Sequence, residues 1–186
     1  NQIRKEYGYL RKAYQLDPMN ETLWKFGTMR PANCPTIRIA QFAQLIHGSA
    51  ALFSKSIEIA SIKEMESLFN ISLHDYWDSH YNFDQPTVTK EKKLGRSSID
   101  NIFINTIAPF MFTYGKDKFN EILSKRSIEM MEKTASEVNG IIKNWSKLGF
   151  NINNAFRSQA FIQLKNMYCT PKKCLSCAIG NQLLKR

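Results

Sequence analysis

The chain has 186 residues, 43% of them apolar and 12% aromatic, which excludes a disordered chain and makes a dense disulfide scaffold unnecessary. Lys and Arg number 26 against 16 Asp and Glu, a net charge of +10. The longest apolar stretch, Ile102 to Tyr114, is broken by Asn105, Thr106 and Pro109, so no run reaches the ~18 residues of a membrane span.

Tyr7, Leu10 and Tyr14, with Ile3, repeat at helical spacing and predict a helix from about Gln2 to Leu16, ended by Asp17-Pro18. Leu23, Trp24, Phe26 and Met29 form a short apolar stretch of undefined type. Asn33 or Cys34 can cap a helix that has Pro35 at its first position. Its apolar face is Ile37, Ala40, Phe42, Ala43, Leu45 and Ile46, and it stops at His47-Gly48. Ala50 to Ile59 and Ile62 to Phe69 read as two short helices. His74 to Phe83 is aromatic-rich and fits a helix or an extended segment, and 84–96 reads as a flexible basic loop.

Ser97-Ser98-Ile99-Asp100 has the form of a capping box ahead of a strong helical repeat, Ile99 to Phe110, which Pro109 should kink. Further helices are expected around Lys116 to Thr134, over Ile141 to Leu148 with Gly149 as a stop, and from Asn153 or Asn154 through Tyr168. The last of these should turn Phe156, Ala160, Phe161 and Leu164 inward. Strand-like alternation is rare. The expected fold is mainly α, an irregular multi-helix domain over residues 1–186 with little or no sheet and a C-terminal cysteine knuckle.

The charge is uneven. From Val138 to the end there are eight bases and no acid, while residues 1–137 carry only +2. A one-signed stretch of this length attracts polyanions, DNA or RNA first among them. Lys165, Lys172, Lys173, Lys185 and Arg186 are the expected phosphate contacts, joined by Lys92, Lys93 and Arg96 ahead of a helix start and by Arg30 and Arg38 around Pro-Ala-Asn-Cys-Pro. Trp24, Trp77 and Trp145 read as core residues, with base stacking as the alternative.

Three of the four cysteines, Cys169, Cys174 and Cys177, fall in a C-x4-C-x2-C spacing. Two thiolates separated by x2 can meet one metal from a tight loop. Zinc is the first expectation, with Cys34 as the fourth ligand, or His47, His74, His80 or water in its place. An iron–sulfur cluster suits the same spacing, and reduced thiols without metal remain the third reading. His74, Asp78 and His80 offer a weak acid/base constellation that reads equally well as aromatic packing. No nucleotide-cradling loop, nucleophile elbow or zinc-protease motif is present in the sequence.

Arg30-Pro31-Ala32-Asn33-x-Pro35, the Asn105 to Pro109 segment, and Ser158-Gln159-Ala160 leading into the cysteine tail together resemble the C-terminal half of a bacterial family, domain of unknown function 2851. The resemblance runs from about Trp24 to the end. It implies that residues 1–22 link to a missing upstream domain, and that nuclease-type carboxylates lie in that domain. The chain itself is then expected to be a non-catalytic cytoplasmic accessory half. Its partners would be nucleic acid or, as the rival reading, the upstream half itself, with no membrane role.

Overall fold

A computed structural model of the chain describes residues 2–25 and 33–184. Phe26, Met29 and the Arg30 to Ala32 stretch lie outside the described residues. The fold is mainly helical, as the periodicity predicts, with one two-stranded sheet. The chain divides into two compact units: Asn1–Ala43 with Leu73–Lys92, and Gln44–Ser72 with Lys93–Arg186.

In the first unit, α1 (Gln2–Ala13) ends at Gln15, whose φ of 51° turns the chain before Pro18. Tyr7, Leu10 and Tyr14 follow the expected spacing but are exposed. Helix α2 (Pro35–Gly48) starts where expected, with the Cys34 carbonyl accepting from Arg38 N–H. Its predicted apolar face is only partly used, because Phe42 and Ile46 are exposed while the polar Gln41 is buried. The aromatic segment resolves the helix–strand ambiguity by being both. A 3₁₀ turn over Asp75–Asp78 leads into β1 (His80–Asn82), which pairs antiparallel with β2 (Gln85–Pro86). Asp84, at φ 57°, makes the connecting turn, and its N–H donates to the Tyr76 hydroxyl.

In the second unit, α3 (Leu52–Glu58) and α4 (Ile62–Phe69) precede a long central helix. The true capping box belongs to α4. Ser61 Oγ accepts from Glu64 N–H, and the Glu64 carboxylate accepts from Ala60 N–H at 2.9 Å. The Ala60 bond, and Ser61 Oγ donating to Glu64 Oε1 at 3.0 Å, favour the carboxylate and pull its pKa down. At Ser97 the expected box is not formed. α5 (Arg96–Ile102) begins behind Gly95 without a side-chain cap, and Asp100 is instead held by Arg96 Nε at 3.2 Å.

Helix α5 runs through a π turn at Phe103–Ile107 into α6 (Ala108–Asp117). Pro109 has no N–H for the Asn105 carbonyl, and its ring would crowd that oxygen. The wider turn, in which Ala108 N–H reaches Phe103 O, lets the chain pass through the proline as a helix. Ile99, Phe103, Ile104, Ile107 and Met111 all point into the core. Met65 and Phe69 of α4 and Leu123 and Met130 of the following helix close that core.

The helix expected over Lys116 to Thr134 is two helices. Phe119 takes φ 52°, and Asn120 caps α7 (Glu121–Lys133) by accepting from Leu123 N–H at 3.0 Å. α7 folds back on α6 at Gly115, where a Cβ would lie 2.5 Å from Ser124 Oγ and 2.9 Å from Ser124 N. α8 (Gly140–Lys147) is capped by Asn139 and stopped by Gly149 at φ 89°. Asn154 caps α9 (Ala155–Leu164), accepting from Arg157 N–H at 2.9 Å. Ala155 and Ser158 are its buried residues, whereas Phe156, expected inward, is 45% exposed.

Asn105, Ser158 and Gln159 meet at the side chain and backbone of Glu137. Glu137 accepts from Gln159 Nε2 at 2.8 Å and from Asn105 Nδ2 at 3.4 Å, and its N–H donates to the buried Ser158 Oγ. Gly115→Ala should therefore destabilise the protein by about 1–3 kcal/mol, because the backbone nitrogen of Ser124 cannot yield as a flexible side chain would. Urea unfolding followed by circular dichroism measures this.

Candidate functional site

The C-terminal tail is built by a series of tight turns. α9 passes into a π turn over Lys165–Cys169, in which Thr170 N–H reaches Lys165 O at 2.8 Å. Lys172, at φ 56°, reverses the chain, and Lys173 N–H closes on Tyr168 O at 2.8 Å. A 3₁₀ turn at Cys174–Ser176 then leads into α10 (Ala178–Leu184). Gly180 lets α10 lie on this turn, since a Cβ there would sit 2.5 Å from Cys174 O.

This path brings Cys169, Cys174 and Cys177 to the wall of one cavity of about 310 Å³. The cavity is entirely apolar. Trp145, Phe150 and Phe161 supply its aromatic side, with ring centroids 5.1–5.4 Å apart, and Leu164, Tyr168 and Ile179 complete it. All three thiols are free. Among the described residues, however, no three His, Cys, Asp or Glu side chains are placed to hold one metal ion. The tail thiols share a wall but do not converge on a cation.

Cys34 lies in the first unit, where its thiol is used locally. Sγ lies 3.3 Å from Asn82 Oδ1 and 3.2 Å from Thr36 Oγ1, and Thr36 itself donates to Tyr81 O. The histidines are similarly occupied. His74 Nδ1 accepts from Tyr76 N–H, and His80 stacks on Tyr76 with centroids 4.0 Å apart. These bonds make capping and packing groups of both imidazoles. His47 is exposed at the end of α2.

The expected phosphate contacts separate into different classes. Lys165, Lys172 and Lys173 are exposed, as are Lys143, Lys147 and Arg157. Among the described residues none of these six forms an ion pair with a carboxylate. Lys93 is also exposed. Arg30, Lys185 and Arg186 lie outside the described residues.

Arg96 is committed to Glu66 and Asp100 within its own unit. Arg38 donates to Asn33 Oδ1 at 2.6 Å and Gln41 Oε1 at 2.9 Å, and burial pushes its guanidinium below the ordinary value.

Lys92 is the clear departure. It is 7% exposed, its ammonium donates to the carbonyls of Trp77, Asp78 (2.7 Å) and Lys90 (3.2 Å), and it lies 4.4 Å over the Tyr81 ring. Gln41 Nε2 in turn donates to Lys92 O at 3.0 Å. A buried cation with three carbonyl partners cannot face phosphate. It fastens the Lys90–Lys92 part of what the sequence alone presents as a loose basic loop to the turn at Trp77 and Asp78. No spacing rule identifies such a lysine; its role follows from carbonyls contributed by residues up to 15 positions away.

The protein is mainly helical, with an apolar, thiol-walled cavity in the same stretch of chain as exposed bases that form no ion pair among the described residues. The chain belongs to the family described as Protein of unknown function (DUF2851), whose model matches residues 1–140. The cysteine tail lies beyond that match. No curated protein matches the chain, and no solved structure does.

Burial lowers the Lys92 pKa, and the Asp78 carboxylate offsets part of the shift. The unfolded chain then binds this proton more tightly than the folded one. Stability contributed at this site rises as pH climbs through the lowered pKa and levels off above the ordinary lysine value of about 10.4. Lys92→Met should abolish that alkaline slope and cost about 1–3 kcal/mol through loss of the ammonium's charge-assisted bonds to the Trp77, Asp78 and Lys90 carbonyls. Urea unfolding of both proteins across pH 7 to 11 tests the pair of effects.

Proposed function

We propose that the chain is a non-catalytic accessory domain that binds nucleic acid through its C-terminal stretch. One observation carries this reading: beyond Glu137 the chain has only basic charge, and the exposed Lys143, Lys147, Arg157, Lys165, Lys172 and Lys173 are not neutralised by carboxylates among the described residues. Unneutralised cations that displace counterions from phosphates supply affinity without reading sequence. As the resemblance implies, the domain would serve as the C-terminal half of a longer, nuclease-like bacterial protein of the cytoplasm, with the catalytic groups upstream.

Affinity for a DNA or RNA oligonucleotide should fall steeply with salt. The triple substitution Lys165→Ala, Lys172→Ala and Lys173→Ala should reduce the log–log salt slope by about 2–3 units. Fluorescence anisotropy between about 50 and 200 mM salt measures both quantities, and salt-independent or undetectable binding removes the reading.

Metal capture by the tail thiols is a companion proposal. Three soft sulfur donors share one apolar wall, which suits zinc or an iron–sulfur cluster better than a hard cation. Their side chains would have to turn toward one another, and the fourth position is unassigned. One metal per chain, lost in Cys169→Ser, Cys174→Ser and Cys177→Ser variants, is the expected result of elemental analysis. Visible absorbance separates iron–sulfur from colourless zinc, and metal-free protein with all thiols titratable sinks the proposal.

A further inference from the structure

The aromatic cavity and the unpaired bases occupy the same stretch of chain. Lys165 follows the cavity residue Leu164, Lys172 and Lys173 stand between Cys169 and Cys174, and Lys147 is two residues beyond Trp145. Phe150 is 46% and Tyr168 37% exposed, so both keep accessible surface, while Trp145 and Phe161 are half-buried. A cavity of about 310 Å³ has room for a nucleobase. Its wall is made of aromatic, aliphatic and cysteine residues and offers no polar surface that would read a base edge.

Resting on the nucleic-acid reading above, we propose that this cavity receives an unpaired base, so that the domain binds single-stranded nucleic acid in preference to duplex. The lysines hold the phosphates on either side, and the rings take the base by stacking. In a duplex the base faces are already stacked on their neighbours and cannot enter. Charge alone, by contrast, would favour the denser phosphate array of the duplex. Lack of polar wall groups makes the preference for strandedness and not for sequence, since every base has a stacking face. An uncharged apolar molecule would fit the cavity but would leave the flanking lysines without a role.

The test uses the whole chain with three probes of equal length: an oligo-dT, the same oligomer with abasic positions, and a duplex. Oligo-dT should bind more tightly than either of the others and quench Trp145 fluorescence, identified as the part of the signal lost in Trp145→Phe. Phe150→Leu and Tyr168→Leu keep apolar bulk while removing the rings. They should weaken oligo-dT binding by about 5- to 100-fold and leave duplex binding unchanged, with circular dichroism confirming the fold. Equal affinity for all three probes with an unquenched Trp145 overturns the base site while leaving phosphate binding intact. No binding to any probe at low salt overturns both readings. Quenching by a neutral apolar dye together with indifference to oligo-dT assigns the cavity to an apolar ligand and also overturns the base site.

Discussion

The close approach of α7 to α6 at Gly115 is the contact on which the second unit is organised. With no Cβ there, Ser124 can come within reach of the α6 backbone, where its hydroxyl donates to Phe112 O at 3.3 Å. The pairing brings Leu123 and Met130 onto Ile107 and Met111. It also delivers the end of α7 to α9. Ala155 N–H bonds the Thr134 carbonyl at 2.9 Å, and the fully buried Thr134 turns its hydroxyl back onto Met130 O. α9 then carries Phe161 and Leu164 to the cavity. Gly115 is therefore linked to the cavity through two successive helix contacts, α6 on α7 and α7 on α9.

Glu137 marks the boundary between two electrostatic regimes. Four of the sixteen acids up to that point are committed within the fold: Glu64 in a cap, Glu66 and Asp100 on Arg96, Glu137 on Gln159 and Asn105. Beyond it, bases have no acidic neighbour in sequence, and the exposed ones have no ion pair among the described residues. Lys92 shows how little the residue type decides. Its ammonium is saturated by carbonyls and a ring face, so it holds a loop in place, whereas Lys172 and Lys173 project from a reversal in the chain and stay available.

The cysteine tail has the same lesson for soft donors. A C-x4-C-x2-C spacing permits convergence on a cation, and the reversal at Lys172 and the close approach of α10 at Gly180 do bring the three residues to one cavity. Spacing does not encode where each sulfur points, and among the described residues the three form no metal-holding group. The result is a wall with thiol character, compatible with an apolar guest and with metal capture only after side-chain movement.

What the sequence determined by itself was local. The α2 start at Pro35, the Asn154 cap, the stop at Gly149 and the passage of a helix through Pro109 all follow from backbone chemistry within a few residues. The mainly helical class follows from the 3.6-residue period in the same way. Only the tertiary structure decided that Phe42 and Phe156 face out, that the chain breaks at Phe119, that Ser97 caps nothing, and that Lys92 is buried. Each of these depends on which groups arrive from elsewhere in the chain. A hydrogen bond or burial opportunity tens of residues away outweighs a local preference worth only a few tenths of a kcal/mol to about 1 kcal/mol.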